Sequence, residues 1–85
     1  MMMWDEAMAK RVGDRIRVLR AERSLSQETL AYRAGITKNQ VQLIEAGRSA
    51  GRDTPGPSNP KLGTLVGIAQ VFDMTVAEFL AGADV

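Results

Sequence analysis

The sequence predicts an all-α domain of five short helices, and three observations predict it. Apolar residues recur at helical spacing between turn signals, with no alternating strand pattern. A capping residue, Ser26, Thr37, Asn59 or Thr75, opens each of the four later helices. Glycine and proline gather where a helix must stop, at Gly35 and through residues 47–59.

The elements follow in order. Helix 1 is expected over residues 7–23, because Met8, Val12, Ile16 and Leu19 fall on one face. Helix 2, Gln27–Ala34, begins at Ser26, with Leu25 and Leu30 as a hydrophobic staple around the cap. Gly35 supplies the left-handed turn that ends it. Helix 3, Lys38–Ala46, begins at Thr37; Ile36 and Val41 form its staple, and Gln40 completes a capping box. Residues 47–59 hold three glycines and two prolines and form a loop. Helix 4 is expected from Pro60, capped by Asn59, with Leu62, Leu65, Ile68, Ala69 and Phe72 as its buried stripe. Thr75 and Glu78 form a capping box for a short helix 5, stapled by Met74 and Phe79. Two helices joined by a tight turn at residues 24–47 form the unit that carries a helix into the DNA major groove.

Composition narrows the function. Eighty-five residues suit one domain. With no cysteine and no histidine, disulfides, thiolate metal sites and Ser-His chemistry lose their usual parts. No apolar run approaches the roughly 20 residues needed to span a bilayer, and the acidic start MMMWDEAM is unlike a signal peptide. A soluble, cytoplasmic protein is expected, with no membrane association. Residues 1–7 are expected to be a poorly ordered tail in which Trp4 packs weakly, and residues 8–82 the folded domain. The net charge is only +1, but its distribution is uneven. Ten of the eleven basic residues lie between Lys10 and Arg52 against four acidic ones; the remainder holds Lys61 and six acidic residues. That asymmetry predicts one face suited to a polyanion.

The segments IRVLR (16–20), SQETLA (26–31), AGITKNQVQLIEAG (34–47) and LGTLVGIAQVFDMTVAEFL (62–80) resemble the lambda repressor/Cro-like, or XRE, helix-turn-helix domains over residues 12–82. The resemblance implies a five-helix domain that binds operator DNA, usually as a two-fold dimer. It implies base reading by Lys38, Asn39 and Leu43. The chemistry of the helix 3 start agrees: lysine suits guanine O6/N7, asparagine and glutamine suit adenine N6/N7, and Leu43 suits a thymine methyl. Gln42, one turn on, is a further candidate. Ser26 and Gln27 start helix 2, whose N-terminus favours an anion, and the resemblance puts the matching glutamine on the DNA backbone. Thr37, Arg48, Arg52 and Lys61 are expected to continue the phosphate contacts. Arg20 and Glu45 match positions paired in such domains as a partly buried ion pair, so both are expected to be structural. The resemblance implies a dimer through Phe72–Ala81, where Met74, Val76 and Leu80 are the surface candidates.

The chain departs from the pattern in its loop. Glu45 and Pro60 are fifteen residues apart, longer than most relatives of this kind. The extra residues are either a tolerated insertion or an arm that follows the DNA backbone through Arg48 and Arg52. The expected function is a sequence-specific DNA-binding transcriptional regulator, most simply a repressor on a palindromic operator, acting as a homodimer. The alternative is an antitoxin or other protein-interaction module with a toxin-like partner and secondary DNA binding. An enzyme is not expected, because no acid/base constellation, phosphate-cradling loop or metal cluster is present; no cofactor or metal is expected either.

Overall fold

The computed structural model describes residues 4–48 and 56–85. Among them lie five helices: α1 (Glu6–Glu22), α2 (Gln27–Ala34), α3 (Lys38–Glu45), α4 (Leu62–Val71) and α5 (Val76–Ala81). The only β pairing among the described residues is an isolated antiparallel bridge between Arg48 and Pro57, which closes the base of the long loop.

The local signals explain α2, α3 and α5. Ser26 accepts from the Thr29 amide, and Thr37 and Thr75 each form a complete capping box. Gly35 sits at φ 74°, and beyond it the Ile36 amide returns to the Ala31 carbonyl at 2.9 Å. The staple residues Leu25, Ile36 and Met74 pack against a core that holds their partners Leu30, Val41 and Phe79. In α5 the Glu78 carboxylate accepts from the Thr75 amide at 2.9 Å. That backbone hydrogen bond, with the Thr75 hydroxyl second, lowers the Glu78 pKa. A depressed folded-state pKa gives a stabilisation that is present above the unfolded value and lost as pH falls through the folded one. The protection of α5 amides, taken relative to their intrinsic exchange rates, is therefore expected to fall as pH drops through the Glu78 pKa.

Three expectations are corrected. α1 starts at Glu6, one residue earlier than expected, where Asp5 caps it by accepting from the Met8 amide at 2.9 Å. Trp4 is half-buried and donates its indole N–H to the Ser58 carbonyl at 2.6 Å, so it is anchored rather than weakly packed. Only residues 1–3 of the expected tail lie outside the described residues. The apolar stripe of α1 begins at Ala9, which is fully buried, while Met8 is half-buried.

α4 starts at Leu62, not Pro60. Its cap is Lys61, at φ −66° and ψ 153°, with no side-chain hydrogen bond. Because Lys61 is itself extended, the helix cannot begin at Pro60. The later start leaves Leu62 66% exposed and outside the core stripe expected for it. The rest of that stripe, Leu65, Ile68, Ala69 and Phe72, is buried.

Several basic residues of α1 and its C-cap are engaged within the protein. Arg11 donates to the Ala83 carbonyl at 3.2 Å and Arg15 to the Phe79 carbonyl at 3.3 Å. Arg23 donates to the Phe72 carbonyl at 3.1 Å and lies 5.2 Å over the Phe72 ring. These arginines close the C-terminal ends of α4 and α5, where carbonyls lack partners and a cation is favoured. Lys10 and Arg17 both pair with Asp14.

Candidate nucleic-acid interface

α3 has two unlike faces. Val41 and Ile44 are buried, and Glu45 is only 4% exposed. Lys38, Asn39, Gln40 and Gln42 are exposed, and Leu43 is half-buried. Gln40 turns back to bond the Thr37 amide at 2.8 Å, so Lys38, Asn39 and Gln42 are the outward polar side chains of the first two turns. Of the four residues expected to read bases, three are therefore on an open surface. Leu43 instead lines a cleft of 530 Å³ together with Gln40, Arg48, Ser58, Lys61 and Thr64.

Two crossings fix how α3 is presented. A Cβ at Gly13 would come within 2.5 Å of the Ile44 carbonyl oxygen and 2.6 Å of that of Glu45, so α1 and α3 touch backbone to backbone. A Cβ at Gly67 would come within 2.7 Å of the Ala34 carbonyl oxygen, which sets the same close contact between α4 and α2. Neither glycine carries a turn signal, and the sequence reading assigned them no role.

Arg20 and Glu45 form a forked ion pair. Arg20 Nε donates to Glu45 Oε2 at 2.6 Å and Nη2 to Oε1 at 2.9 Å. The remaining Arg20 nitrogen donates to the Leu25 carbonyl at 2.9 Å. The hydrogen bond to Glu45 raises the Arg20 pKa, against a smaller opposing effect of burial. The pair ties α1 to the end of α3 and to the segment leading into α2. Gln27 joins it, donating its amide to Glu45 Oε1 at 3.2 Å. One residue expected on the DNA backbone is thus tethered to the buried pair.

The other expected phosphate residues divide. The Ser26 and Thr37 hydroxyls are exposed but engaged as caps, each bonded within its own first turn. Arg48 and Lys61 are exposed and meet at the cleft beside Leu43. Arg52 lies outside the described residues. One contact could not be read from local spacing. The Lys38 ammonium lies 3.3 Å from the Glu28 carboxylate, across from α3 to α2 and ten residues back in sequence. No cluster of metal-binding side chains occurs among the described residues, and no helix there is long and apolar enough to cross a membrane.

Comparison with known proteins agrees with this geometry. Residues 11–81 match the family model described as a helix-turn-helix domain. A search of curated proteins finds no match. Among solved structures, the chain is similar to the restriction-modification controller protein C.AhdI from Aeromonas hydrophila, at 30% identity and a TM-score of 0.69, covering 84% of this chain and 94% of that one. It is also similar to SinR, the master regulator for biofilm formation, solved in complex with DNA, at 29% identity and a TM-score of 0.64, covering 81% and 97%. The clp gene regulator ClgR from Corynebacterium glutamicum shares the fold, with a TM-score of 0.74 at 18% identity over 91% and 72% of the two chains. With five helices in this arrangement and a family match over nearly its whole length, the chain belongs to the lambda repressor/Cro-like helix-turn-helix family of DNA-binding transcription regulators.

Proposed function

We propose that the protein is a cytoplasmic, sequence-specific repressor that binds a palindromic operator as a homodimer, with α3 in the major groove. The observation that carries this reading is the exposed polar start of α3, with Lys38, Asn39 and Gln42 outward and Val41 and Ile44 fixing the opposite face. A recognition helix needs such a start, because its N-terminal residues meet the base edges. Arg48 and Lys61, exposed beside α3, suit phosphate contacts that position the helix, and the N-terminus of α2 at Ser26 and Gln27 suits another. The similar chains include a restriction-modification controller and a regulator solved on DNA, which fits the reading. In a dimer, Met74, Val76 and Leu80 have only partly buried side chains to offer a second copy. The two α3 helices would then meet half-sites about 34 Å apart.

Selection from a random duplex pool, followed by titration of the winner at several salt concentrations, tests this. A palindromic consensus bound about 10³-fold or more above random DNA is expected. Lys38→Ala and Asn39→Ala should each relax the preference at one position per half-site, at about 1–3 kcal/mol. Binding that depends on salt but prefers no sequence, or no enrichment, would overturn the reading.

A further inference from the structure

The Lys38–Glu28 contact is unusual for its place. Both groups stand in the first turns of their helices, Glu28 beside Ser26 and Gln27 and Lys38 at the start of α3. Their side chains are 73% and 50% exposed, so packing does not hold them together. At such exposure an ion pair contributes little to stability. A carboxylate in the first turn of α2 also favours the helix dipole, but many positions on the protein would serve that purpose without facing a polyanion. Set against phosphates, a carboxylate lowers affinity for every DNA sequence alike. Its presence beside the lysine expected to read a base therefore calls for an effect on selectivity.

We propose that Glu28 is a specificity-determining residue that acts with Lys38 as a charge-paired reader of a G·C base pair. The proposal rests on the DNA-binding reading above. Lysine donates to guanine O6 and N7, and a carboxylate accepts from cytosine N4. Guanine O6 and cytosine N4 are hydrogen-bonded neighbours in the major groove, so a lysine and a carboxylate 3.3 Å apart present the complementary donor and acceptor side by side. On a G·C pair both charged groups are satisfied. On A·T or C·G in the same orientation the carboxylate meets a base acceptor and the lysine a donor; on T·A the carboxylate meets adenine N6, but the lysine loses guanine N7 and faces the thymine methyl. Away from the operator, Glu28 holds the lysine partly neutralised and lowers attraction to arbitrary phosphates.

A double-mutant cycle on the full chain tests the pairing. Affinities of the wild type, Glu28→Gln, Lys38→Ala and the double variant are measured on the selected duplex, on the same duplex with one G·C pair replaced per half-site, and on random DNA. Glu28→Gln is expected to tighten random-DNA binding by about threefold to tenfold and to steepen its salt slope by about one unit. It should leave the selected duplex within about twofold, so the specificity ratio falls by a similar factor. In the Lys38→Ala background, Glu28→Gln should change discrimination at that base pair clearly less than it does with Lys38 present. The pairing is overturned if Glu28→Gln shifts all duplexes equally, or if its effect on discrimination is undiminished without Lys38. If the wild type itself prefers no sequence, the DNA-reading assignment fails first, a result distinct from either. Circular dichroism of each variant at the assay temperature separates a loss of fold from a loss of selectivity.

Discussion

Glu45→Ala is expected to lower stability by about 3–5 kcal/mol, with DNA binding lost only as a consequence. The carboxylate is 4% exposed and accepts from two Arg20 nitrogens and from Gln27. Its removal leaves a guanidinium that is 20% exposed with one remaining partner, the Leu25 carbonyl. A domain of this size has a total stability of about 5–15 kcal/mol, so the loss is a large part of it. A drop of 3 kcal/mol corresponds to a Tm lower by about 12–24 °C. Glu45→Gln should cost less, because it preserves volume and one acceptor oxygen. The check is thermal unfolding of both variants beside binding measured well below their midpoints. An unchanged Tm with lost binding would move Glu45 from the scaffold to the interface.

What was legible in the sequence divides by range. Caps and staples act within five residues, so Ser26, Thr37 and Thr75, with Leu25, Ile36 and Met74 beside them, marked three helix starts correctly. Gly35 was legible for the same reason. The start of α4 was misplaced because Asn59 and Pro60 have the composition of a helix start, while Lys61, the residue after them, is itself extended. Trp4 could not be placed, since its partner is the Ser58 carbonyl, fifty-four residues away. The partners of the arginines on α1 and at its C-cap could not be read for a related reason. The count of arginines suggested a polyanion face, while Arg11, Arg15 and Arg23 find carbonyls on elements at the other end of the chain. Charge totals cannot distinguish a cation facing solvent from one closing a helix end. At the candidate interface, spacing alone marked Lys38, Asn39 and Gln42 as outward, because one buried face of a short helix determines the other. The partners Glu28 and Gln27 acquire come from the crossing of helices, which no periodicity encodes.

Gly13→Ala and Gly63→Ala are expected to change stability in opposite directions. Both glycines lie inside helices, where alanine is favoured by up to about 1 kcal/mol through propensity. At Gly63 an added Cβ meets nothing within 4 Å, so Gly63→Ala should stabilise by about 0.5–1 kcal/mol. At Gly13 the same carbon would approach two main-chain carbonyl oxygens of α3 at 2.5 and 2.6 Å. Backbone oxygens cannot rotate aside as a side chain can, so α1 and α3 must separate. Overpacking of this kind typically costs about 1–3 kcal/mol, and here it outweighs the propensity gain. The displacement also acts on function, because the carbonyls in question belong to Ile44 and Glu45, at the end of α3 that the ion pair holds. Gly13→Ala should therefore weaken operator binding even where the protein remains folded, whereas Gly63→Ala, whose added Cβ meets nothing within 4 Å, leaves it within about twofold. Urea unfolding midpoints measured beside operator affinity decide the matter. A Gly13→Ala protein as stable as the parent would show that α1 and α3 tolerate separation, with α3 held by its buried Val41 and Ile44 and by the Arg20–Glu45 pair.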